Sequence, residues 1–87
     1  MEKNSVYRQF AERFAAASLQ SLVDSFNREV GHYAWHYSRS LYDAALIDEF
    51  LRRGIDVSAI YDGNSINFSR AVVYDSEHKK LVIAEER

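Results

Sequence analysis

The sequence predicts an α+β fold: a helical hairpin of two helices packed on an antiparallel β-hairpin, in the order α-α-β-β. Three observations carry this. Two long stretches space their apolar residues at helical intervals, and the last third of the chain alternates apolar with polar side chains. The glycines at positions 31, 54 and 63 punctuate a chain that has no proline.

The first helix is predicted over Asn4 to Val30, with Asn4 or Ser5 as its cap and no breaker inside it. Gly31 and its neighbours make a short connection, and a second helix follows over Ala34 to Arg53. Its end is strongly marked. Arg52 and Arg53 suit the negative end of the helix dipole, Gly54 suits the left-handed conformation, and Ile55 can fold back on Phe50 or Leu51 in a Schellman motif.

Between Ile55 and Tyr61 two readings stay open. Asp56 can cap one helical turn, or Ile55, Val57, Ala59 and Tyr61 can alternate as a strand; the turn is the reading adopted. Asp62-Gly63-Asn64 is a turn. Ile66, Phe68, Val72 and Tyr74 read as the first hairpin strand, Asp75 to Lys79 as a polar turn, and Lys80 to Glu85 as the second strand.

With 87 residues the chain makes one domain, since two would each be too small to bury a core. Its 47% apolar and 14% aromatic content lies far from the composition of disordered chains. The absence of cysteine removes disulfides, thiolate nucleophiles and thiolate metal ligands. A domain this small without such staples commonly gains stability by self-association. Eleven basic and thirteen acidic residues are interspersed for a net charge of −2, which lacks the basic excess of a nucleic-acid binder. No apolar run approaches the roughly 20 residues that span a bilayer. Met1-Glu2-Lys3-Asn4 and the amphipathic stretch after it do not read as a signal peptide, so a cytoplasmic location without membrane contact is expected.

Each helical segment changes the direction of its apolar face. In the first, Val6, Tyr7, Phe10 and Phe14 share one side, while Leu19, Leu22, Val23, Phe26 and Val30 share another roughly 160° away. The change falls across Ala15-Ala16-Ala17-Ser18. In the second, Trp35, Leu41, Tyr42 and Ala45 oppose Leu46, Ile47, Phe50 and Leu51, with the change at Ala44-Ala45. The near-loop halves (Leu19–Val30 and Ala34–Ala45) are expected to cover each other, so the far halves (Val6–Phe14 and Leu46–Leu51) must turn toward something else, the β-hairpin or a second copy of the chain. A helix broken near Ala15–Ser18, with both halves on one core, is one resolution. A second copy of the chain, or another protein, is the other and the one adopted. Unpaired hairpin edges point the same way, since pairing across a two-fold axis would give a four-stranded sheet.

Gly31-His32-Tyr33-Ala34-Trp35-His36-Tyr37 is the most unusual local sequence, with five rings in seven residues counting imidazoles. Trp and Tyr are favoured at binding hot spots. Tyr33, Trp35 and Tyr37 are therefore candidate protein contacts, together with Tyr7, Phe10 and Phe14 of the far-half face. His32 and His36 stand at i, i+4, a spacing that can hold a metal, but no further ligand completes a set. Ser38, Ser40, His36 and Asp43 supply triad residue types without a nucleophile elbow. Asp48 and Glu49 read as a solvated face beside Arg52 and Arg53. No cofactor motif is present.

The expected function is a non-enzymatic interaction module, an adaptor, inhibitor or regulatory subunit, acting as a homodimer. A nucleic-acid-binding dimer using Arg39, Arg52, Arg53, Arg70, Lys79 and Lys80 with Tyr61, Phe68 and Tyr74 is the alternative, and a His-dependent metal site is the second alternative.

Overall fold

A computed structural model describes residues 5–30 and 37–84, apart from the side chains of 37–39. Among the described residues it has three helices, α1 (Ser5–Ala15), α2 (Leu19–Arg28) and α3 (Tyr37–Arg52), and two strands, β1 (Val72–Asp75) and β2 (Lys80–Ile83). The α+β class and the closing antiparallel hairpin are those read from the sequence.

The first predicted helix is two helices. Ser18 takes extended backbone angles (φ −70°, ψ 159°), and its Oγ accepts the Ser21 N–H at 3.1 Å. It is thus an N-cap that starts α2. The break sits where the apolar face changes direction, and it lets both halves reach one core: Phe14 of α1 lies with Leu22, Val23 and Phe26 of α2. The expectation that the near-loop halves cover each other is corrected. The main helical neighbour of α3 is α1, while α2 meets β1 as well as α3. No break occurs at Ala44-Ala45, because α3 lies at the centre and buries Ala45, Leu46, Ile47 and Phe50 together.

The end of α3 is the predicted Schellman motif. Ile55 N–H reaches Phe50 O at 3.0 Å, Gly54 N–H reaches Leu51 O at 2.9 Å, and Gly54 stands at φ +77°. The Ile55–Tyr61 link is a turn: Ile60 and Tyr61 both donate to Val57 O, and Asp56 Oδ1 accepts the Ser58 N–H at 2.8 Å. Asp56 also pairs with β2, its N–H donating to Lys79 O and its carbonyl accepting from Leu81.

The first strand begins later than predicted, at Val72 rather than Ile66. The cause is local. Asp62 Oδ1 accepts the Asn64 and Ser65 N–H groups, and Asn67 Oδ1 accepts that of Ser69, so side chains take the bonds a ladder would need. Phe68 instead stacks on Phe26, with centroids 4.7 Å apart. From Val72 onward the register is Val72↔Ile83, Val73↔Val82, Tyr74↔Leu81 and Asp75↔Lys80.

Both outer edges are partly occupied. The Asn27 side chain behaves as a short surrogate strand: its Nδ2 donates to Val72 O and its Oδ1 accepts the Val72 N–H, both at 2.9 Å. Asp56 covers the other edge at Leu81. Tyr74 and Ile83 are the outward-pointing strand positions that neither lock covers, so a four-stranded dimer sheet would have to pair there.

Val72 is only 1% exposed, so Asn27→Ala would strand two buried backbone groups. The expected loss is about 2 kcal/mol. It is read as a lower denaturation midpoint with an unchanged slope.

Candidate functional site

Of the candidate contact residues, Phe10 and Phe14 converge on Tyr42 across the seam of α1 and α3, and Tyr7 meets Asp48. Phe10 and Phe14 each meet the Tyr42 ring edge-on, with centroids 5.2 Å apart and interplanar angles of 83° and 78°. Phe10 and Phe14 are stacked at 6.5 Å. The Arg13 guanidinium lies 5.4 Å from the centre of the Phe10 ring, within cation–π range. Tyr7 donates its hydroxyl proton to the Asp48 carboxylate. That bond, then burial, then the Asp48 charge raise the Tyr7 hydroxyl above its ordinary pKa.

Exposure divides this face. Phe14 is buried, whereas Tyr7, Phe10 and Tyr42 remain half-buried and line a ridge of rings. Much of the apolar surplus assigned to a partner is therefore covered internally: Phe14 and Phe50 lie in the core, and Leu51 stays 50% exposed. Of the aromatic tip, Tyr33 and Trp35 fall outside the described residues. Tyr37 opens α3, and its side chain is likewise outside the description.

Glu49 corrects a prediction. It is 5% exposed rather than solvated. Arg52 Nε donates to it at 3.0 Å, and Arg53 Nε at 2.6 Å. The Arg53 Nη2 crosses to the end of α1, donating to Phe14 O at 3.0 Å and Ala17 O at 2.8 Å. Arg53 thus ties a buried carboxylate of α3 to the backbone carbonyls at and just beyond the end of α1. The signal was present as Glu and Arg at i, i+4, but burial of the pair depends on where α1 lands, which spacing does not reveal. The Arg52 hydrogen bond, with that of Arg53, holds the Glu49 carboxyl below its ordinary pKa against the opposing effect of burial.

Three turn carboxylates are also lowered: Asp56 by the Ser58 N–H, Asp62 by those of Ser65 and Asn64, and Asp75 by the His78 ring. All four acids have folded pKa values below their unfolded ones, so the unfolded chain takes up protons first as pH falls. Their stabilisation is complete above the unfolded values and is lost as pH drops through the folded ones. Tyr7 acts oppositely: its contribution is complete below its unfolded pKa and is lost as pH rises beyond about 10. A urea midpoint that is flat from about pH 5 to 9 and falls on both sides is expected.

The nucleic-acid candidates separate. Arg53 and Phe68 are engaged internally, and Arg52 pairs with Glu49. Arg70, Lys79 and Lys80 are exposed, Tyr61 and Tyr74 are half-buried, and the Arg39 side chain lies outside the description. His32 and His36 also lie outside it, while Ser40 and Asp43 sit on α3. The ligand atoms of Asp75, Glu77 and His78 gather within 4.8 Å at the hairpin turn. There Asp75 Oδ1 caps the Glu77 N–H at 3.0 Å and Oδ2 meets His78 Nδ1 at 2.8 Å, which is turn chemistry. An open cleft of about 310 Å³ is lined by Ala59, Ile60, Asn67, Ser69, Arg70 and Ile83. No described helix is long and apolar enough to cross a membrane. No protein-family model, curated protein or solved structure matches this chain.

Proposed function

We propose that this chain is a non-enzymatic protein-interaction module, an adaptor, inhibitor or small regulatory subunit, that acts as a homodimer. The observation that supports it is the ridge of Tyr7, Phe10 and Tyr42. These rings are half-buried: Phe10 and Tyr42 meet edge-on, Arg13 lies over Phe10, and Tyr7 is held by Asp48. Rigid aromatics with polar handles are the residues that dominate protein interfaces, because they bury large area at small entropic cost. Tyr33, Trp35 and Tyr37, residues of the same chemical type close together in sequence, are the further contacts proposed.

The test is cross-linking in native cells, followed by purification under denaturing conditions. Trp35→Ala with Tyr37→Ala is expected to keep the circular dichroism of the parent and lose its protein adducts. Retention of every adduct would overturn the reading. Loss of the helical signal would return those rings to the core and overturn it equally.

A further inference from the structure

We infer that α1 is an exchangeable element: in the dimer, the face of α3 carrying Tyr42, Ala45, Glu49 and Arg53 receives α1 from the second copy. This rests on the homodimer reading and specifies the part that is traded.

The hinge between α1 and α2 is only Ala16, Ala17 and Ser18. It contains neither glycine nor proline, and Ala15-Ala16-Ala17 are the strongest helix formers available. Ala16 still donates to Glu12 O at 3.3 Å in helical spacing, and Ala17 to Phe14 O at 3.1 Å in a tighter turn, so the chain leaves the helix gradually over two residues before the Ser18 cap. A three-residue hinge, two alanines and one capping serine, separates the broken form from a continuous helix over α1 and α2. Short hinges of this kind favour exchange between copies.

The faces decide what the continuous form would do. Straightened, Tyr7, Phe10 and Phe14 point roughly 160° away from Leu22, Val23 and Phe26. While α2 stays seated on its own core, α1 can no longer reach its own α3. The matching surface is then the vacated α3 of a second copy, which offers the same Tyr42 edge and the same Asp48 carboxylate. The hydrogen bonds nearly balance. In the broken form Arg53 Nη2 serves Phe14 O, Ala15 O and Ala17 O; in the continuous form these carbonyls accept the N–H groups of Ser18, Leu19 and Ser21 along the helix.

The test uses the full chain, which has no native cysteine. Tyr7→Cys and Asp48→Cys are joined by a short bismaleimide after separation by mass, with and without Ser18→Ala. Ser18→Ala removes the cap and is expected to raise the dimerisation constant by about fivefold for each hinge. Ala16→Gly with Ala17→Gly is expected to lower it at least about tenfold, since glycine disfavours the continuous helix. Dimer fractions should yield two chains covalently joined on a denaturing gel, and monomer fractions single chains. A dimer whose links all lie within one chain would overturn the exchange and leave the homodimer reading standing. Single-chain mass at every concentration, with Ser18→Ala included, would overturn both.

Discussion

Replacing Phe26 by Ala is expected to cost about 4 kcal/mol, the largest effect of any single substitution considered. Phe26 is fully buried, and it touches the three parts of the molecule that have to stay together. It belongs to α2, it shares the core with Phe14 of α1, and it stacks on Phe68 of the long loop ahead of β1. Truncation removes that stacking partner and leaves a cavity between layers that cannot collapse independently. A domain of this length has only about 4–13 kcal/mol of total stability. The variant is expected to be largely unfolded at 37 °C. Phe26→Leu should lose far less, about 1 kcal/mol, because most of the volume stays. Thermal melts of the two variants check the difference.

Replacing Arg53 by Met is expected to lower stability by about 3 kcal/mol. The stem is conserved in shape, so the loss isolates the guanidinium. Without it, Glu49 keeps only Arg52, whose side chain is 63% exposed, and Phe14 O and Ala17 O lose the charged donor they share. Breaking one half of a buried pair leaves the other charge in a medium that solvates it poorly. Arg53→Lys should recover little, since a single ammonium cannot serve a carboxylate and two carbonyls with the geometry of a fork. A melting temperature lower by about 15 °C is the expected readout for Met. The loss should shrink as pH falls through the lowered Glu49 pKa of the folded chain, because protonation removes the charge that Arg53 serves.

These two sites also show what the sequence makes legible. Part of the core was read from periodicity: Leu22, Val23 and Phe26 share the face their spacing implies, whereas Leu46 and Phe50, expected to turn toward a partner, are buried in the chain's own core. The Schellman end of α3 was legible because its chemistry is local, needing only Gly54 and the residues beside it. The position of the α1–α2 break was visible as a change of face, while its form was not. Three alanines favour helix, and one serine hydroxyl reverses them only because both halves then find the same core. Asn27 and Arg53 were not legible as locks, since each bonds backbone atoms far away in sequence: Val72 in one case, and Phe14 and Ala17 in the other. Of the candidate contacts, Phe14 turned out to be interior, and Tyr7 and Phe10 stayed half-buried at the surface.

The sharpest single measurement is the solution mass by light scattering over a dilution series. A mass that climbs from 10.1 kDa toward twice that value as concentration rises is the predicted result. A mass fixed at 10.1 kDa across the whole series would contradict self-association and the exchange of α1 that rests on it.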